Sequence, residues 1–259
     1  PLRLRELVQA RRAPESLNDL LFRGCYPAVH VRALDPRSYY SSYVQTYLDR
    51  DVRRLAAIQD LGNFQRFLRL CASRTGQLLN LNGLANDCGI SQPTAASWMN
   101  VLEASFIVRR IAPYHRNFGK RLVKTPKLYF LDTGLCAWLL GIGAAHELDG
   151  HFARGALFET WVVGEALKWR CGQSDARPLY FWRDNIGNEV DLLIEQGGGY
   201  TLVEIKSGQT YQAEWQKSLE TVDRHIGGNA RRAVVYGGDL GFERSGVAVI
   251  PWRELSRVV

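Results

Sequence analysis

The feature that most constrains this fold is a glycine-rich link between two apolar segments in the last third of the chain. The segments 188–195 and 200–206 are rich in valine, leucine and isoleucine, and the glycines of 197–199 separate them. Glycine readily adopts the positive φ angles that a tight hairpin requires. The pattern therefore predicts two antiparallel strands. The segments around them predict a mixed α/β domain, with helices at 154–170 and 212–226 and strands at 178–183 and 231–236.

Three polar side chains fall where these two strands bring them together. Successive side chains of a strand point to opposite faces, so Asp191 shares a face with Glu189 and Leu193. Glu204 and Lys206 share a face of the next strand for the same reason. Phosphodiester hydrolysis can use this combination, because carboxylates hold Mg²⁺ while an amine steers the attacking water or stabilises developing charge. The sequence predicts a catalytic site of Asp191, Glu204 and Lys206, with Mg²⁺ on the two acids; a plain salt bridge at the strand end is the alternative.

Residues 61–150 show the pattern of a winged helix. Helices are predicted at 64–73, 82–87 and 92–104, followed by wing strands at 106–111 and 127–131. The first residues of the last helix would meet DNA as a recognition helix does, namely Ser91, Gln92, Thr94 and Ser97. No Arg or Lys occurs from 92 to 103, so docking of another protein is the alternative for this helix.

The positive charge of the chain is concentrated in its first part. Residues 1–150 carry 20 Lys and Arg against 12 Asp and Glu, whereas residues 151–259 carry 13 against 14. A run of basic residues with no acid between them predicts nucleic-acid binding through released counterions, and a basic surface for an acidic partner is the alternative. The run consists of Arg109, Arg110, Arg116, Lys120, Arg121, Lys124 and Lys127.

Motifs spread along the whole chain point to one family. They include YVQTYLDRDV from Tyr43, TGQLLN from Thr75, KRLVKTPKLYFLDTG from Lys120 and FWRD from Phe181. These motifs resemble the C-terminal part of a large prokaryotic family of predicted AAA-type ATPases, in which a nucleotide-binding domain precedes a domain of unknown function. That domain ends in a PD-(D/E)XK nuclease-like fold, whose motif Asp191 and Glu204-Ile205-Lys206 resemble, with Val190 in place of the proline.

The resemblance implies further residues and partners. Members of the nuclease superfamily often draw another acid from the first helix, which makes Glu159 the expected third metal ligand and Glu165 the second choice; an ordinary surface acid is the alternative. ATP is expected only in an N-terminal ATPase domain of a longer parent chain, because this chain has no G-x-x-x-x-G-K-[ST] motif. That domain and DNA are the expected partners.

Together these features predict an α/β protein in three parts. The parts are a helical segment at 1–60, a winged helix-turn-helix domain with a connecting helix at 61–150, and a PD-(D/E)XK restriction-endonuclease-like domain at 151–259. Scattered cysteines and the lack of an apolar stretch near the roughly 20 residues of a membrane span predict a cytoplasmic protein that does not enter membranes. Two functions stay open: Mg²⁺-dependent DNA cleavage, or a catalytically silent module that binds nucleic acid or protein while the ATPase acts.

Overall fold

A computed structural model describes residues 1–52, 58, 60–114, 123–175 and 177–258, with backbone alone for Asp49 and Asp51. The chain forms two compact units. The first comprises Pro1–Arg110 and Leu128–Trp161, and the second comprises Ile111–Lys127 and Val162–Val259. Among the helices in these ranges, none combines the length and apolar character needed to cross a membrane.

The first unit is mainly helical. Its elements are α1 (Leu4–Gln9), α2 (Leu17–Arg23), α3 (Pro27–Val31), α4 (Pro36–Thr46), a π-helical turn (Tyr47–Val52), α5 (Leu61–Ala72), β1 (Gln77–Leu78), α6 (Leu81–Cys88), α7 (Gln92–Ala104), β2 (Val108–Pro113), β3 (Lys127–Phe130) and α8 (Thr133–Leu139). Strand β3 lies between β1 and β2. Residues 111–113 of β2 and Lys127 of β3 belong to the second unit. The helices predicted at 64–73, 82–87 and 92–104 are confirmed as α5, α6 and α7.

Local chemistry accounts for the boundary between α6 and α7. Gly89 ends α6 with a left-handed φ of 72°, which glycine adopts without a Cβ clash. Ser91 then caps α7, because its hydroxyl accepts a hydrogen bond from the backbone N–H of Thr94 at 3.2 Å. The ring of Trp98 packs edge-on against Phe64 and Phe67, with centroid distances of 5.3 and 5.6 Å. The turn and the buried ring together hold the three helices in one small core.

The second unit is built on a mixed sheet. Its elements are β4 (Tyr180–Arg183), β5 (Glu189–Gln196), β6 (Gly199–Lys206), α10 (Lys217–Ile226), β7 (Arg231–Tyr236), β8 (Phe242–Arg244) and β9 (Val247–Pro251). The chain enters it through β2 and through α9 (Arg154–Gly172). Its strand order is β2-β4-β5-β6-β7-β9-β8. β4, β5 and β6 run antiparallel in turn, whereas β6, β7 and β9 are parallel. The predicted α/β class is thus confirmed.

The sheet of the second unit is buried under α10, but one strand departs from the expected pattern. Leu219 and Val222 of α10 belong to the same buried cluster as Leu202 of the sheet. Val190 and Leu193 both join this cluster, and the β4–β5 register shifts close to them. The strict alternation predicted along 188–195 is therefore interrupted by a bulge.

Candidate functional site

The β5–β6 hairpin brings two carboxylates close together. Its ladder ends at the pair Leu192 and Val203, and Asp191 and Glu204 are the residues just beyond that end. The charge of Asp191 acts on Glu204 and contributes to its raised pKa. Asp191 Oδ2 accepts a hydrogen bond from the backbone N–H of Ile205, at 2.8 Å. The two acids are only 8% and 7% exposed. Two of the predicted catalytic residues therefore meet in a buried position where the strands stop pairing.

Glu204 is the less satisfied of the two acids. Its Oε1 lies 2.5 Å from Nζ of Lys206, the third predicted residue. Its Oε2 is buried and has no hydrogen-bond partner in the described part of the chain. Burial and the neighbouring charge of Asp191 raise the pKa of Glu204 to about 8, although Lys206 acts in the opposite direction. The side chain is therefore largely protonated at neutral pH, and its unpartnered Oε2 can accept from or coordinate a ligand once the proton has left.

A second lysine lies beside the same acids. Lys127 is 2% exposed, and its ammonium forms an ion pair with Glu189 and lies 3.7 Å from Asp191 Oδ1. It also lies 5.5 Å from the centroid of the Phe181 ring. The sequence places Lys127 in the basic run, whereas in the structure its charge faces carboxylates rather than solvent.

Sequence reasoning did not include Glu189 in the site. Its Oε2 lies 2.7 Å from a guanidinium nitrogen of Arg183, and its other oxygen faces Lys127. The available signal was the two-residue period, which already put Glu189 on the face of Asp191. Three cationic side chains thus lie beside the carboxylates: Lys127 from β3, Arg183 from β4 and Lys206 from β6.

The two acids proposed from the helix have different surroundings. Glu159 lies in the first unit, where Oε1 accepts a hydrogen bond from the Tyr129 hydroxyl at 2.5 Å. Glu165 lies in the second unit, is 7% exposed and forms an ion pair with Lys168. Their roles as metal ligands stay predictions.

The basic run is partly described by the structure. Arg109 and Lys124 are exposed. Arg110 is half-buried and donates from Nε to Glu103 Oε2 at 2.7 Å. The remaining members, Arg116, Lys120 and Arg121, lie outside the described residues.

The residues predicted to meet DNA lie at the start of α7. Ser91, Gln92 and Ser97 are exposed, and Thr94 is half-buried. The Ser91 hydroxyl is within hydrogen-bond distance of Thr94 Oγ1, at 2.7 Å, besides capping the helix. Gln92 and Ser97 are the members of this set whose side chains have exposed positions and no capping role.

The donor set fits a hard cation with few protein ligands. No group of three or more His, Cys, Asp or Glu side chains suited to a metal occurs within the described ranges. Mg²⁺ commonly takes one or two carboxylates and keeps several waters or substrate phosphates. Asp191 and Glu204 with its unpartnered oxygen meet that requirement.

Comparisons with known families match two regions of the chain. Residues 14–146 match the model of a domain of unknown function, DUF8612. Residues 154–255 match another domain of unknown function, DUF4143, which is usually found with AAA ATPases.

The similar curated proteins are longer than this chain. An uncharacterized protein of Mycobacterium tuberculosis and one of Mycobacterium bovis are each 31% identical over 215 residues. The alignment covers 83% of this chain and 47% of each relative, so the chain spans about half of their length. No solved structure matches this chain.

Proposed function

Since the chain belongs to the DUF8612 family and carries a region usually found with AAA ATPases, we propose that it is the C-terminal part of an ATPase-linked protein with a Mg²⁺-dependent DNA nuclease site. The second unit is proposed to have a PD-(D/E)XK nuclease-like fold, and α5 to α7 with β2 and β3 to form a winged helix. One observation carries the proposal: Asp191 and Glu204 are both buried and interact electrostatically, and Glu204 Oε2 has no hydrogen-bond partner among the described residues.

The residues of the site have distinct roles in this proposal. Asp191 is oriented by the Ile205 N–H, so its remaining oxygen can face a ligand. Glu204 supplies its unpartnered oxygen once its proton has left. A bound Mg²⁺ would neutralise the scissile phosphate and lower the pKa of its water. Lys206, 2.5 Å from Glu204, steers the attacking water or stabilises the charge that develops on the phosphate.

Cleavage of DNA by the purified chain tests this proposal. Linear, branched and single-stranded DNA would be incubated with Mg²⁺ or Mn²⁺. Asp191→Asn, Glu204→Gln and Lys206→Met should each lower the rate by about 100-fold or more, the usual effect of losing one transition-state donor. The two acid variants should also lose metal binding, whereas Lys206→Met should keep it.

A control variant on the same strand distinguishes loss of the site from a general effect on β5. Glu195 lies on β5, four residues beyond Asp191, and is half-buried. Glu195→Gln should leave cleavage unchanged. Cleavage that survives in Glu204→Gln would come from a contaminating nuclease and would refute the assignment.

A specific observation favours a second candidate, the catalytically silent module. Lys127 and Lys206 already give internal cationic partners to Glu189, Asp191 and Glu204. A fold with this arrangement can bind DNA or protein with no metal. DNA binding that is insensitive to Mg²⁺, together with no cleavage of any substrate, would select this candidate.

The basic run is proposed to supply nucleic-acid affinity in either case. Neutralisation of several phosphates makes binding fall steeply with salt, with a slope of about 0.9 per phosphate on duplex DNA. Changing Arg116, Lys120, Arg121 and Lys124 to glutamate should weaken duplex binding and flatten the salt slope. Arg5→Glu changes an exposed charge outside the run and serves as the control. Equal binding before and after the change would assign the run to a protein partner.

The ATPase is proposed to lie in the other half of the parent chain. The chain spans about half the length of the relatives it matches, which leaves room for another domain. A full-length relative should hydrolyse ATP, whereas this chain alone should not. If ATP stimulates cleavage only in the full-length protein, the two activities are coupled.

A further inference from the structure

We infer that Lys127 is a built-in counter-ion of the carboxylate cluster and competes with a divalent cation for it. The inference rests on the proposed metal site and adds how that site is regulated. In the protein alone Lys127 occupies the cationic place beside Asp191. A metal therefore binds weakly until this charge is displaced or removed.

Burial is the first argument for this role. Lys127 is 2% exposed, and lysine is seldom so buried unless it is paired. Its partners are the two acids that share a face of β5, Glu189 and Asp191. A lysine whose purpose was to contact DNA phosphates would present its ammonium to solvent, as the exposed Lys124 does.

The distances give the second argument. Nζ of Lys127 lies 3.7 Å from Asp191 Oδ1, while Asp191 Oδ2 accepts the hydrogen bond of Ile205. Oδ1 is thus the oxygen that a metal would use, and Lys127 lies beside it. Two positive charges that close repel strongly, because a buried site screens charge much less than water does.

The partners of Glu189 give the third argument. Glu189 has both Lys127 and Arg183 as cationic partners. Loss of Lys127 therefore leaves Glu189 paired with Arg183, whereas Asp191 loses the ammonium that lies 3.7 Å from its Oδ1. Removal of Lys127 makes the potential at both acids more negative, and Asp191 is the proposed ligand.

Titration with Mn²⁺ alone tests the inference, by calorimetry or by the electron paramagnetic resonance of the free ion. Lys127→Met keeps an unbranched apolar stem and removes the charge. Its Mn²⁺ affinity should exceed that of the unaltered chain by about tenfold or more, because the ion no longer meets a like charge beside Asp191 Oδ1. Arg183→Met removes a charge from Glu189 alone and should change the affinity by less than about threefold.

A second comparison of variants tests the inference even if Lys127→Met does not fold. Removing both partners of a buried ion pair is far milder than removing one. Glu189→Gln and the double variant Lys127→Met with Glu189→Gln are therefore compared. The double variant should bind Mn²⁺ more tightly than Glu189→Gln.

The outcomes separate this inference from the proposed function. Equal or weaker binding in Lys127→Met, with Mn²⁺ binding that Glu204→Gln abolishes, overturns the inference and leaves the metal site standing. Binding that appears only after Lys127 is removed supports the inference and contradicts metal-dependent cleavage by the unaltered chain. Absence of Mn²⁺ binding in every variant overturns both.

Discussion

Each unit contains a buried carboxylate, and their surroundings differ. In the first unit Asp132 is 3% exposed and accepts hydrogen bonds on both oxygens. Its Oδ1 accepts from the Leu135 N–H at 2.9 Å and from the Tyr40 hydroxyl at 2.7 Å. Its Oδ2 accepts from the Cys25 N–H at 2.6 Å. In the second unit Glu204 has Lys206 on one oxygen and no partner in the described residues on the other. A saturated acid holds parts of the fold together, whereas an unsaturated acid keeps capacity for a ligand.

The largest loss of stability is expected when Asp132 is changed. Asp132→Asn keeps the size of the side chain but turns an NH₂ group toward one of the donors that the carboxylate accepts. Asp132→Asn therefore loses charged hydrogen bonds and leaves two buried donors facing each other. The free energy of unfolding should fall by roughly 3–5 kcal/mol. Urea unfolding followed by aromatic fluorescence measures this cost. A loss below about 1 kcal/mol would show that Asp132 is not the structural anchor of the first unit.

A glycine that packs on Asp132 gives the next largest effect. Gly24 has a φ of 64°, and an added Cβ would lie 2.4 Å from Asp132 Oδ1. Gly89 has a similar φ of 72° but open space at its Cβ position. Gly89→Ala should cost about 1–2 kcal/mol, because its ψ of 32° gives the left-handed helical conformation. Gly24→Ala should cost at least about 1–3 kcal/mol more, since its ψ of −159° lies in a region nearly restricted to glycine and the added Cβ would overpack. Equal losses of unfolding free energy would contradict both contributions.

An intermediate effect is expected at Asp191, which is only partly saturated. Its Oδ2 accepts from Ile205 N–H, and its Oδ1 lies 3.7 Å from Lys127. In Asp191→Asn the remaining carbonyl can still accept from Ile205, and Lys127 keeps Glu189. The cost should be about 1–2 kcal/mol, smaller than that of Asp132→Asn. A larger cost than at Asp132 would reverse the order that hydrogen-bond saturation predicts.

An effect of opposite sign, which grows as the pH rises, is expected at Glu204. Its pKa is about 8 in the folded chain against an ordinary value of 4.5, chiefly because of burial. The folded state therefore binds the proton more tightly. The stability that this proton contributes is fully present below pH 4.5 and is lost as the pH rises through about 8. Glu204→Gln never ionises, so it should exceed the unaltered chain in stability at pH 9 by several kcal/mol, on the order of 1.4 kcal/mol for each unit between 4.5 and about 8. The two chains should be closest in stability at pH 5 and below.

Thermal unfolding between pH 5 and pH 9 measures this difference. Glu195→Gln, on the same strand, should follow the pH profile of the unaltered chain. Asp191→Asn should flatten that profile in part, because the charge of Asp191 is one cause of the raised pKa of Glu204. If Glu204→Gln shows the same pH dependence as the unaltered chain, the carboxyl is not protonated in the fold.

Much of the fold was predictable where a few neighbouring residues decide it. Ser91 and Gly89 mark the ends of α7 and α6 because each satisfies backbone requirements within its own turn. The glycines of the β5–β6 hairpin adopt the expected positive φ, 59° at Gly197 and 82° at Gly198. The nearness of Asp191 and Glu204 follows from that short link, because each lies just beyond the paired part of the hairpin.

The departures from prediction arise where distant segments meet. The hairpin at β8 and β9 was not predicted, and the helix expected at 212–226 begins as a 3₁₀ turn, Ala213–Gln216, before α10. Glu189 could have been included from its place on the face of Asp191. Lys127 could not, because counting charges along the chain does not distinguish a buried lysine from an exposed one.

The sequence by itself determined the elements whose hydrogen bonds close within a few residues: the capped helices, the glycine hairpin and the order of acid, acid and amine along it. Tertiary structure decided which charges face each other. It placed Lys127 against acids 62 and 64 positions further along the chain, Glu189 and Asp191, and it surrounded Asp132 with donors from Cys25 and Tyr40. Whether a carboxylate is saturated, desolvated or left with a free oxygen depends on burial and on partners from distant segments, and local sequence contains neither.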